Sequence, residues 1–317
     1  MKIALVSDTD LSFFFEWQEW FSAERIKISD NMDLAKYDLA WVYCINTDNV
    51  SRMKLWKEHF PSVKFVMMTD SDFWWNACPW ISEDANSINQ ETLNGLRSAD
   101  LVYCINVATK KLYDSQGIKS VLDFPMSRLP FQLPQLNYEE RKNRMKAAIM
   151  CHSMPRYSPR SNVMIAQELK MKPVIFGTFQ NMTILRNVSG NVEAEYYERI
   201  TDITTYTNKL NECFLGLEDW YAGGSRFVIE CAVLGIPVVG SENILSLQIL
   251  SPELTCPNGD VKLLVQKART LIDNEWLYRV LSKRIQEKAL SYFSPEETKK
   301  RLFETISKRL NIPLTIN

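Results

Sequence analysis

Short apolar runs alternate along this chain with stretches of helical period, and the alternation predicts an α/β protein. Runs of strand length are Lys2–Val6, Tyr37–Ile45, Val63–Met68, Leu101–Ile105 and Lys119–Leu122, then Ala147–Cys151, Lys172–Thr178, Cys213–Leu217 and Ile236–Gly240. Between and beyond them the spacing predicts helices at Met53–Phe60, Leu93–Ser98, Ala108–Ser115, Val163–Leu169, Ile203–Asn211, Arg226–Leu234, Val261–Ile272 and Leu277–Leu290. Phe13–Phe21 is aromatic-rich, with Trp17 and Trp20 on one helical face, a stripe that reads as core or domain packing rather than a ligand platform. Pro125–Pro134 holds three prolines and reads as a linker between two domains. Asp260 is expected to cap the helix that follows it. Ser294, Pro295 and Glu297 open a last helix with a capping box.

The most informative stretch is Gly216–Leu245. Gly223 and Gly224 lead to Ser225, a side chain suited to the N-cap of an apolar helix whose one carboxylate is Glu230. Gly235 and Pro237 stop that helix. A helix N-terminus opened by glycines offers amides and a favourable dipole to an anion. A carboxylate one turn deeper suits a sugar diol, because an ionised Glu accepts two hydroxyl hydrogen bonds. The alternative is structural: a tight turn with a cap, and a Glu230 that pairs with Arg226 on the same face.

Two further loops follow strands. His152–Asn162 carries Arg156 and Arg160, forked donors suited to a diphosphate, or else two solvated arginines. Asp70 and Asp72 follow the run Val63–Met68 at a strand end, where ligands collect in open sheets; the alternative is an Asx turn and cap. Phe73–Trp80 places three Trp beside them, faces on which sugars and bases both stack.

Composition narrows the classes. With 317 residues and a formal net charge of −1, two domains are expected and no global field draws the chain to nucleic acid or membrane. The seven Cys are scattered without a CxxC, which fits a reducing compartment and argues against a disulfide framework or structural zinc. Two His exclude a multi-His metal site. No basic leader and no apolar run of membrane-spanning length is visible, so a cytoplasmic location is expected. Lys2–Val6 is not followed by GxGxxG, against a dinucleotide site there.

Ser225–Asn243, SRFVIECAVLGIPVVGSEN, resembles the donor-binding segment of GT-B glycosyltransferases, specifically the retaining family-4-like group (glycosyl transferases group 1). There a small-residue loop precedes a helix of the type xxEAxAxGxPVV. The resemblance is good from Ala147 onward and architectural before it. It implies an α/β GT-B architecture: two Rossmann-like domains facing a central cleft. Residues 1–135 would form the acceptor-side domain and 136–294 the nucleotide-sugar donor domain, with a helix at 295–312 packing back on the first.

Residue by residue, Glu230 matches the Glu that binds the ribose. Arg156 and Arg160 match the Arg/Lys pair on the pyrophosphate, joined by Gly223, Gly224, Ser225 and Arg226. Asp70 and Asp72 become the catalytic candidates. Ala222 stands where the family carries another Glu, with Glu218 and Asp219 near it but out of register.

The implied activity is transfer of a sugar from a nucleotide-diphosphate sugar, with retention. No cofactor or bound metal is implied. The acceptor is open among a glycan, a lipid-linked sugar, a protein and a nucleic acid. The alternatives are a non-catalytic nucleotide-sugar or glycan-binding protein of the same fold and a DNA-modifying glycosyltransferase; an epimerase of this shape would need more carboxylates and His.

Overall fold

The computed structural model describes residues 1–7, 13–29, 31–44, 47–69, 85–128, 137–151, 159–177, 193–198, 202–219 and 225–314. Among them the chain divides into two compact units, Met1–Pro125 with Thr298–Asn317, and Met126–Glu297.

The first unit is built on strands β1 (Ile3–Ser7), β2 (Glu24–Lys27), β3 (Leu39–Cys44), β4 (Lys64–Thr69), β5 (Leu101–Cys104) and β6 (Ser120–Leu122). They form one parallel sheet in the order β2-β1-β3-β4-β5-β6. Helices α1 (Phe13–Phe21), α2 (Thr47–Ser51), α3 (Met53–His59), α4 (Ala85–Ser98) and α5 (Val107–Ser115) connect them. The aromatic stripe of α1 is core. Trp17 is fully buried, its indole N–H donates to Pro125 O at 2.8 Å, and its ring lies 4.9 Å from Trp41; Trp20 is half-buried.

The second unit carries α6 (Tyr138–Arg144), β7 (Lys146–Cys151), α7 (Pro159–Glu168), β8 (Lys172–Gly177), β9 (Glu195–Glu198) and α8 (Ile203–Asn211). It continues through β10 (Leu215–Glu218), α9 (Arg226–Val233), β11 (Val238–Ser241), α10 (Leu245–Leu250), β12 (Thr255–Cys256), α11 (Val261–Asp273) and α12 (Glu275–Tyr292). The sheet is again parallel, in the order β12-β11-β10-β7-β8-β9. A last helix, α13 (Pro295–Leu310), begins in this unit and gives its remainder to the first. Within the first unit its Phe303 stacks on Phe21 at 4.8 Å.

The strands β2 and β9 lie outside the apolar-run reading for a physical reason. Both are sheet edges, their sequences are ERIK and EYYE, and neither is fully buried, so neither needs an apolar run. Helix α7 starts at Pro159 rather than Val163, because Pro is tolerated in a first turn. Residues 159–162 therefore belong to the helix and not to the loop before it. The expected caps form: Asp260 accepts from Leu263 N at 3.0 Å, and Ser294 Oγ from Glu297 N at 3.1 Å.

Helix α9 sits at the centre of the second unit. Phe227 to Val233 are all buried, as its sequence requires. It can lie against β10 because Gly216 has no side chain: a Cβ there would meet Val238 Cγ2 at 2.8 Å and Cys231 Sγ at 3.3 Å. Gly235 takes φ +68°, the left-handed turn that ends the helix. One buried cation holds that end. Arg141, on α6, donates to Leu234 O at 2.6 Å and Gly235 O at 3.1 Å. The same guanidinium reaches the end of α8, donating to Asn211 Oδ1 at 2.8 Å and Asn211 O at 3.3 Å.

Truncating Arg141 to Ala leaves those buried acceptors unpaired, so Arg141→Ala should lose at least about 3 kcal/mol in urea unfolding. Arg141→Lys should recover only part of it, since one ammonium cannot reach both helix ends in forked geometry.

Candidate functional site

The order of the second sheet creates a topological switch point. From β7 the chain moves outward to β8 and β9, then returns to pair β10 against the other side of β7. The helices that follow these two strands, α7 and α9, start on either side of the crevice at the strand ends, the place where open α/β sheets take ligands. Asn162 in the first turn of α7 ties the two sides together, accepting from Asp219 N at 2.9 Å just beyond β10. Asp219 Oδ1 accepts from Gly259 N at 3.3 Å, and burial raises its carboxyl above the usual range.

Two buried carboxylates converge here. Glu218 is the last residue of β10, where its side chain is almost wholly buried. Its Oε2 accepts from Ser225 Oγ at 2.7 Å; its Oε1 has no hydrogen-bond partner among the described residues. Ser225 is the N-cap of α9, its Oγ in turn accepting from Val228 N at 3.4 Å. Ser246 on α10 pins the Ser225 backbone, donating to its O at 2.8 Å and accepting from its N at 3.3 Å.

Glu230 lies one turn into α9 and is 5% exposed. Its Oε2 accepts from the Tyr206 hydroxyl at 2.5 Å. Tyr206 comes from α8, whose start is fixed by Asp202 accepting from Thr205 N at 2.7 Å. Phe176 on β8 meets the Tyr206 ring edge-on at 5.2 Å.

Burial sets the acid–base chemistry. It pushes Glu230 up to about 7, against the Tyr206 hydrogen bond and the Arg226 charge, both of which favour the ionised form. It pushes Glu218 up to about 7 as well, with Ser225 opposing and the charge of Glu230 adding to the rise. Tyr206 is driven well above its ordinary range, first by burial and then by Glu230, so it stays a donor.

Of the residues singled out in sequence, Ser225 caps α9, Arg226 and Glu230 fall on its first two turns, and Arg160 is exposed in the first turn of α7 across the switch point. Arg226 is half-buried and its guanidinium donates to Ser127 O at 3.2 Å. Arg156, Gly223, Gly224, Asp70 and Asp72 lie outside the described residues, as do His152 and the Trp-rich run. Two members of the site are not among the residues singled out in sequence: Glu218, near Ala222 but out of register with the resembled pattern, and Tyr206. A charged residue ending an apolar strand was a usable signal for the first; nothing in the spacing points to the second.

Among the described residues no group of three or more His, Cys, Asp or Glu side chains is arranged to hold a metal ion. Among them, too, no helix is long and apolar enough to cross a membrane.

No protein-family model and no curated protein sequence matches the chain. Solved structures match it in shape. HepE from Anabaena, in complex with UDP-glucose, gives a TM-score of 0.70 at 13% identity, covering 97% of this chain and 100% of that one. Sucrose-phosphate synthase from Thermosynechococcus elongatus gives 0.68 at 14% identity, over 94% of this chain and 76% of that one. An α,α-trehalose-phosphate synthase (UDP-forming) from Burkholderia vietnamiensis gives 0.67 at 8% identity, over 98% and 100%. At these identities the likeness is one of fold.

A carboxyl raised in the folded state binds its proton more tightly there than in the unfolded chain. Its contribution to stability is therefore full at low pH and falls as pH rises from the ordinary carboxylate range through about 7. Glu230→Gln keeps an acceptor for Tyr206 but cannot ionise. Its stability relative to wild type should rise by about 3 kcal/mol between pH 5 and pH 8 in urea unfolding. A difference that stays flat across that range would mean that Glu230 does not titrate there.

Proposed function

The chain has the GT-B fold, and we propose that it is a glycosyltransferase whose nucleotide-diphosphate sugar binds at the β7/β10 switch point. The observation that carries this reading is Glu230, a buried carboxylate one turn inside α9 with a single phenol as its donor among the described residues. A buried acid held near neutrality at a strand-end crevice is unfavourable for stability and characteristic of a ligand-binding group.

In this proposal Glu230 accepts hydrogen bonds from the ribose hydroxyls. Arg160 and Arg156 hold the diphosphate with Gly223, Gly224, Ser225 and Arg226 at the start of α9, where the helix dipole also favours negative charge. These groups would carry the charge that develops on the leaving diphosphate, so no resident metal is invoked. The bond from the anomeric carbon to the β-phosphate oxygen breaks, and a new bond forms from that carbon to an acceptor hydroxyl oxygen. The acceptor proton passes to the departing phosphate oxygen on the same face, which gives retention. The acceptor is assigned to the Met1–Pro125 unit, with Asp70 and Asp72 as its polar contacts. Uridine is the first base to test, since the Anabaena protein holds UDP-glucose and the Burkholderia one is UDP-forming.

One observation favours a second reading, a binding protein without transfer activity: Ala222 stands eight positions before Glu230, where a further carboxylate would be expected of an enzyme of this kind. Turnover of the sugar nucleotide decides between the two.

Calorimetric titration with UDP, GDP, dTDP, ADP and CMP should find one selective diphosphate. Glu230→Ala should weaken it by at least about tenfold, the worth of a hydrogen bond to a charged group. Unchanged affinity in Glu230→Ala would refute the donor site. Arg160→Ala should weaken the diphosphate more than the matching monophosphate, and equal losses would remove Arg160 from the pyrophosphate.

A further inference from the structure

We propose that Tyr206 is a positioning residue that orients the Glu230 carboxylate for a ribose diol and so makes the site prefer ribonucleotides to 2′-deoxyribonucleotides. The proposal rests on the reading above that Glu230 meets the ribose.

Reading two adjacent hydroxyls requires two acceptor lone pairs held at a fixed spacing and direction. A Glu side chain has three free torsions, and its last is broad and soft. Something must stop that rotation. Tyr206 does so through the 2.5 Å bond to Oε2, which takes one acceptor direction and leaves Oε1 without a hydrogen bond among the described residues.

The phenol is itself immobilised. Its ring is held by Phe176, and its helix is fixed at the start by Asp202. At the far end Arg141 bonds the final residue of α8 and the carbonyl of Leu234 behind α9 with one planar group. The helices that carry Tyr206 and Glu230 are thereby locked to each other, and the donor–acceptor pair inherits that fixed relation.

Among the described residues the groups that act on Glu230 electrostatically are few. Tyr206 faces it from α8, Arg226 and Cys231 lie on its own helix, and Glu218 faces it from β10. Phe176 on β8 is apolar, and neither α10 (LSLQIL) nor β11 (VVGS) carries an ionisable side chain. From α12 a neutral group meets α9, the Gln286 amide donating to Val233 O at 2.7 Å. Loss of the Tyr206 hydroxyl therefore removes the largest influence that favours ionised Glu230. A protonated Glu230 has one oxygen committed as a donor and reads a diol poorly.

The test is calorimetric titration of wild type, Tyr206→Phe and Glu230→Ala with UDP and dUDP from pH 6 to pH 9. Tyr206→Phe keeps the ring, so packing against Phe176 is retained. The expected result has three parts. At pH 7 UDP binds Tyr206→Phe about tenfold more weakly than wild type, as expected for one charge-assisted hydrogen bond. Its preference for UDP over dUDP shrinks. Its binding midpoint moves to higher pH, so that much of the loss is recovered at pH 9. A loss that is uniform with pH and leaves the UDP/dUDP preference intact would make Tyr206 structural only and overturn the proposal. So would a variant indistinguishable from wild type; if Glu230→Ala loses binding in that case, the ribose assignment of Glu230 survives alone. Full UDP binding by Glu230→Ala overturns both.

Discussion

Arg141 is a buried cation, and the bonds it makes to Asn211, Leu234 and Gly235 close the ends of two helices at once. The last carbonyls of a helix have no partner within the helix, and their partial negative charge favours a cation. Arg141 serves α8 and α9 with one planar group, so their separation is set by the dimensions of a guanidinium. Tyr206 rides on one helix and Glu230 on the other, and their contact exists only if the two stay in register.

The opposite end of α9 carries the reverse charge. Glu218 and Glu230 are both buried near an N-terminus whose dipole favours anions, and Ser225 links one of them to the helix cap. The dipole and the few hydrogen bonds do not offset burial, and both acids are held near neutrality. A protein under selection for stability alone would put apolar side chains at these positions. That cost falls at the switch point of the sheet, the place where open α/β sheets take ligands.

Much of this was legible in sequence because much of it is local. The strand runs and the helix Ile203–Asn211 follow from apolar period, and Ser225 and Asp260 follow from cap chemistry within three residues of their partners. The edge strands β2 and β9 were not legible, because a strand with one open side needs no apolar signature. The sequence marks Arg160 as a candidate but not as helical, since the polar first turn of α7 hides the helical period. Along the chain the spacing of Glu218 from Glu230 gives no sign of a shared role; in space the charge of Glu230 acts on Glu218, which is tied to the helix through Ser225. Tyr206 lies 24 residues from Glu230 in sequence, and only the folded helix pair brings them together.

The nucleotide diphosphate is proposed to sit at the β7/β10 switch point of the second unit. Hydrogen–deuterium exchange with and without the tightest-binding diphosphate tests it most directly. Slower exchange is expected only in peptides covering residues 149–165 and 215–235, which hold the end of β7, the start of α7, β10 and α9. Protection centred on the Met1–Pro125 unit, with none in those peptides, would contradict it.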